Sequence, residues 1–278
     1  MVTAQWPRIP QIPWHKDSGG VPVQTYNDLV RFTKYASAVY TPVCPRPLGN
    51  KLVAEFTNVV TGAHGFVARD DERREIVVAF RGSQQLEDMF TDANMFLVPH
   101  GINDTVRVHA GFALAYESVK AVMLETVNEQ VAFYDDYDVI VTGHSMGGSL
   151  ASLAGLAIKT NTTDLSVRIF TFGQPRTGNG PFADLVEATV GTENIFRGLA
   201  ERTPDGVPTI IPKALGYCHH GTEYWHFAEP PNRKNVLRCE EQEDPKCSRS
   251  IPSTGINVAH DVYFGRCMYI SCPSLPLA

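Results

Sequence analysis

The chain has 278 residues, 43% of them hydrophobic and 19% charged, with a formal net charge of −6. That supplies ample core material and excludes a disordered chain; an acidic balance without a Lys/Arg block excludes the basic stripe of a nucleic-acid binder. No run of about 18 uninterrupted apolar residues occurs, so nothing reads as a membrane span.

Residues 1–24 carry Pro7, Pro10, Pro13 and Pro22 with Gly19 and Gly20, and read as an extended arm. They show no charged-then-apolar leader pattern: either a leader was removed before this numbering begins, or export does not use one. One domain is expected over 25–278. From Thr25, a capping residue, Leu29, Phe32, Tyr35, Ala36 and Val39 recur at helical spacing. Strands are predicted over 52–60 and 63–69, with a Thr61-Gly62 turn between them, and over 75–80, whose E-I-V-V-A-F run is of the fully buried type. A long amphipathic helix follows over 111–131, with Phe112, Tyr116, Val119, Met123, Val127 and Val131 on one stripe. Strands at 137–142, 167–172 and 194–199 then alternate with helices at 146–158 and 181–190, the second opened by Pro181. Residues 221–227 and 235–239 are further candidate strands. Strands alternating with helices predict an α/β fold, a mostly parallel sheet with helices on both faces.

Gly143-His144-Ser145-Met146-Gly147 fits G-x-S-x-G. Chance supplies this pattern roughly 0.1 times in such a chain. Its setting is the stronger signal, because an apolar strand leads in and a small-residue helix leads out. Such a turn is tight enough to require glycine around the serine and thrusts its hydroxyl above the sheet. The helix N-terminus adds free N–H groups that favour a developing oxyanion. A serine hydroxyl needs a base, and the base a carboxylate. On such a fold the order is Ser, acid, His, and His219, His220, His226 and His260 all lie downstream. Spacing alone does not choose among them.

Seven segments, in order, resemble the class 3 family of secreted fungal lipases, the group of the Rhizomucor and Thermomyces lipases and related feruloyl esterases. They are V-V-A-F-R-G-S (77–83), R-V-H-A-G-F (107–112), V-T-G-H-S-M-G-G (141–148), T-F-G-Q-P-R-T-G-N (171–179), D-G-V-P (205–208), G-T-E-Y-W (221–225) and A-H-D-V-Y-F-G (259–265). The resemblance implies an α/β-hydrolase that cleaves carboxylic esters without metal or cofactor. It implies Ser145 as nucleophile, Asp205 as acid and His260 as base, with Asp261 the alternative acid. The oxyanion donors would be the residues at Ser83 and Met146. His109 and His144 would support the site, and His219 and His220 would have no catalytic role.

Between Ser83 and Asp92, Leu86, Met89 and Phe90 fall on one face of a short helix, with Glu87, Asp88 and Thr91 opposite. By resemblance this is a lid that covers Ser145 in water and opens at a lipid surface. Its three large apolar residues favour an acylglycerol lipase over a feruloyl esterase, and Val207 would line the acyl groove. A catalytically silent lipid-binding relative is the rival of another class. The resemblance also implies bridges Cys239–Cys247 and Cys44–Cys272, leaving Cys218 and Cys267 to pair or stay free. A secreted, monomeric protein is expected, meeting acylglycerol at a lipid–water interface. Sequons at Asn103 and Asn161 fit N-glycosylation.

Overall fold

The computed structural model describes residues 20–83, 95–101, 104–200, 205–250, 253 and 255–269. The predicted lid residues Leu86, Met89 and Phe90, with Asn103 and Cys272, lie outside the described residues, as do residues 1–19 of the arm.

The main sheet is built from β1 (Lys51–Asn58), β2 (Ala63–Asp70), β3 (Glu75–Phe80), β6 (Asp138–His144), β7 (Val167–Phe172), β9 (Ile195–Ala200), β11 (Glu223–His226) and β12 (Val236–Cys239), side by side in that order. From β3 to β11 every neighbouring pair is parallel. The flanking pairs β1–β2, β2–β3 and β11–β12 are antiparallel. The expected mostly parallel sheet is therefore present, with hairpins at both margins.

All six residues of β3 are buried because both sheet faces are covered. Ile76, Val78 and Phe80 point to one side, against α2 (Ala110–Phe133), α3 (Met146–Asn161) and α4 (Gly180–Val190). Val77 and Ala79 point to the other, against Leu29, Phe32 and Tyr35 of α1 (Val23–Ala38). Alternation along the pleat thus assigns each residue to one of two cores. Each large apolar side chain so buried contributes about 1.5–3 kcal/mol.

Two local expectations are corrected. Helix α1 begins at Val23 after Pro22, without a side-chain cap, so Thr25 is not its N-cap. The fixed φ of proline (−54° here) sets up the helix start instead. A second sheet, β4 (Leu97–Pro99), β5 (Arg107–His109), β8 (Gly178–Asn179) and β10 (Tyr217–Cys218), was not foreseen. Strands of two or three residues carry no readable period. After β12 the chain forms a 3₁₀ turn, Val258–Asp261, and a small hairpin of β13 (Val262–Tyr263) and β14 (Arg266–Cys267). No helix among the described residues is long and apolar enough to cross a membrane.

Candidate active site

Ser145 lies between the end of β6 and the start of α3, with φ 59° and ψ −129°. A non-glycine residue rarely holds a positive φ, which costs about 1–3 kcal/mol unless the surroundings enforce it. Here they do. The Ser145 amide donates to Phe172 O at 2.9 Å, and its carbonyl accepts from Gly148 N at 2.9 Å. A Cβ at Gly143 would strike the Gly147 carbonyl, and one at Gly147 the Phe80 carbonyl. The two motif glycines thus let strand, turn and helix approach closely.

Ser145 is fully buried, and its Oγ has no hydrogen-bond partner among the described residues. His260 is also buried, and its Nε2 likewise has no partner among the described residues. Its other nitrogen is fully committed. His260 Nδ1 donates to Asp205 Oδ1 at 3.1 Å and Oδ2 at 3.2 Å. The Asp205 carboxylate also accepts from the Val207 amide at 3.1 Å and from the Tyr263 hydroxyl. With its proton held on Nδ1, His260 presents a lone pair on Nε2, the tautomer a base requires. The structure therefore joins Asp205 to His260, as expected. Asp261, the alternative acid, pairs with the Tyr269 hydroxyl.

His144 lies beneath the base, its ring 4.4 Å from that of His260. His144 Nε2 donates to the His260 carbonyl at 2.7 Å, and Nδ1 accepts from the Tyr40 hydroxyl at 2.7 Å. Tyr40 in turn accepts from Gly82 N at 2.9 Å. Burial first, and the neighbouring His260 second, hold His144 well below the usual imidazole range. It stays neutral, keeping both bonds. Gly82 brings Ser83 past the serine: a Cβ at Gly82 would lie 2.9 Å from Ser145 Cβ. Met146 is buried in the first turn of α3, where helix N–H groups lack intrahelical partners. Met146 follows Ser145 directly, and Ser83 follows Gly82, which packs against the serine.

His109 caps α2, its Nδ1 accepting from Gly111 N and Phe112 N at 3.1 and 3.3 Å. A second serine–histidine contact, Ser152 Oγ to His220 Nε2 at 3.0 Å, lies in the core. His220 Nδ1 faces the Gly221 carbonyl rather than a carboxylate, and burial lowers it to about 4. Among the described residues no carboxylate faces that imidazole. His219 donates from Nε2 to Pro208 O at 2.8 Å. Val207 is fully buried beside the acid. Tyr263, Tyr40 and Gly173 were missed; Tyr263 stands three residues after His260, a spacing that could have flagged it.

Cys239 and Cys247 are linked, with Cα atoms 6.4 Å apart. Cys44 is disulfide-bonded. The alternative of a Cys218–Cys267 pair is overturned, because both are free. Cys218 sits in the second sheet beside Gln242, whereas Cys267 lies in the β13–β14 hairpin against Ser37. Asn161 is exposed at the end of α3. No group of metal-ligating side chains is found among the described residues.

Residues 77–214 match the family model described as lipase (class 3). A lipase from Rhizopus niveus is 34% identical over 268 residues, covering 89% of this chain and 66% of that protein. The chain thus spans just under two thirds of that relative's length. A secreted alkaline triacylglycerol lipase of Penicillium cyclopium is 29% identical, covering 86% of this chain and 84% of that one. The crystal structure of a lipase from Rhizopus microsporus var. chinensis superposes with a TM-score of 0.81 at 31% identity, covering 92% of this chain and 91% of that one.

Proposed function

This chain belongs to the class 3 lipase family, and from that premise we propose that it is a serine hydrolase of acylglycerol esters. One observation carries the reading: Ser145 Oγ and His260 Nε2 are both buried, with no partner among the described residues, while Asp205 holds the far side of the imidazole. Ser145 Oγ attacks the ester carbonyl as His260 Nε2 takes its proton. The oxyanion is received by the amides of Met146 and Ser83, each such donor contributing about 3 kcal/mol. His260 then protonates the departing alcohol, and water repeats the cycle on the acyl-enzyme.

The substrate class is argued from the rim. Ile256, Val258 and Val262 flank His260 in the chain and are exposed by 36%, 76% and 40%. Apolar side chains around a water-poor site suit a lipid surface better than a soluble aromatic ester. Leu86, Met89 and Phe90 would extend this surface as a lid. Val207 lines the acyl groove in this reading, and the working form is a secreted monomer, in keeping with the bridged Cys239–Cys247.

The test labels the protein with a fluorophosphonate and compares tributyrin, a diacylglycerol and methyl ferulate as substrates. Labelling at Ser145, lost in Ser145→Ala, with preference for the glycerides, is the expected result. Turnover by Ser145→Ala near wild type would sink the nucleophile. Preference for methyl ferulate would move the substrate class to soluble esters.

A further inference from the structure

The acid sits at the start of a loop, Asp205 to Ile211, that has almost no secondary structure of its own. Its backbone is held from below. Arg176 Nη1 donates to the carbonyls of Ile211 at 2.6 Å and Thr209 at 3.3 Å. His219 Nε2 holds the carbonyl of the residue before them, Pro208. Three carbonyls within four residues are thus fixed by two side chains. Arg176 is rooted just after β7, in the segment that also carries Gly173 and Gln174.

The other edge of the Arg176 guanidinium is clasped by Glu243, Nε to Oε1 at 2.6 Å and Nη2 to Oε2 at 2.8 Å. Both side chains are about 95% buried or more, at 5% and 3% exposure. Glu243 Oε1 also accepts from His219 N at 2.9 Å, so the same carboxylate steadies both holders of the loop. Glu243 adopts φ 51°, a conformation that costs a non-glycine residue. It is presented from inside the loop closed by Cys239 and Cys247. Arg249 Nη1 further ties its carbonyl at 3.0 Å.

A buried ion pair is poor evidence for stability, since apolar residues of similar volume often do as well or better. What apolar residues could not do is grip two carbonyls and an amide. We infer that the Arg176–Glu243 pair is a positioning device for the catalytic acid: the bridged loop supplies Glu243, Glu243 orients Arg176 and His219, and these fix the backbone that aims Asp205 at His260. The inference rests on the reading of Asp205 as the acid. It makes the loop between Cys239 and Cys247 part of the esterase machinery, although that loop does not touch the reacting atoms.

The test uses the whole chain with Glu243→Gln, and with the double variant Arg176→Met/Glu243→Leu, which removes the charges together and keeps the site filled. Active sites are counted by fluorophosphonate, and hydrolysis of a soluble p-nitrophenyl ester gives kcat and KM separately. Both variants should lose about 10- to 100-fold in kcat per labelled site, with KM within about twofold. Wild-type kcat per labelled site, or activity loss that only tracks the labelled fraction, would overturn the inference. Ser145→Ala runs alongside: if it turns over normally, the triad reading falls and the positioning role with it.

Discussion

The hydroxyl of Tyr263 fills the space that a side chain at Gly173 would occupy. Gly173 stands at φ +56° directly after β7, and a Cβ there would also come within 2.8 Å of His260 Cε1. The absent side chain lets the phenol reach the Asp205 carboxylate. Burial first and Asp205 second push the Tyr263 phenol well above its usual range, so it remains a donor.

Tyr263→Phe removes one donor from Asp205 but leaves those from His260 and Val207. A hydrogen bond to a charged group is worth about 1.5–3 kcal/mol, so kcat/KM should fall roughly 10- to 100-fold. The fold should persist, as the ring still packs. Steady-state kinetics on a soluble ester, with a thermal melt for control, checks this; an unchanged rate would show that Asp205 needs no third partner. Gly173→Ala should be worse, since it strains the backbone and crowds both Tyr263 and His260.

His260→Ala should lower kcat by several orders of magnitude, about as much as Ser145→Ala, because triad members act as a unit. Asp205→Asn should be milder. A silent Asp205→Asn would direct the search for the acid to Asp261.

Buried histidines set an acid limit on stability, His109 and His220 among them. Burial lowers both His109 and His220 to about 4, against about 6.5 in an unfolded chain. Between those values the unfolded chain binds more protons, so stability is intact above pH 6.5 and drains as pH falls toward 4. Each histidine accounts for about 3 kcal/mol of that loss. Urea midpoints should therefore drop steadily from pH 6.5 to 4.5, ahead of carboxylate protonation. His109→Asn keeps an acceptor at the α2 N-cap and should flatten part of the slope; equal slopes would remove His109 as a cause.

Peptide mapping without reductant should recover Cys239 linked to Cys247 and thiols at Cys218 and Cys267. Opening that bridge as Cys239→Ser/Cys247→Ser should cost about 2–3 kcal/mol for so short a loop. Full retention of the urea midpoint would show that the loop is held by its ion pairs alone.

The main sheet was legible because its strands are long enough to show a period and its turns carry glycine and proline. The nucleophile was legible for a related reason: the packing that forces Gly143 and Gly147 leaves a written pattern. The acid and base were not readable from spacing. Asp205 and His260 lie 55 residues apart on irregular segments and meet only through the fold, so resemblance had to place them. The partners behind them were invisible. Nothing local marks Tyr40 as the link between Gly82 and His144, or Glu243 as the clasp on Arg176, because each bond spans a fold-level distance.

The base is also spliced to the beginning of the chain. Ser37, near the end of α1, donates to the carbonyls of Cys267 and Met268, in and just after the hairpin that follows His260. Met268 N returns a bond to Asp261 O at 2.8 Å, beside the base. Nucleophile, sheet and elbow belong to the middle of the polypeptide, but the proton acceptor is stapled between its outer portions. Catalytic competence is therefore a readout of completed closure: a nick in the segment between β12 and His260 would leave the sheet standing while unhitching the imidazole from its carboxylate. Limited proteolysis there would yield an intact-looking barrier of strands with a serine that has lost its base.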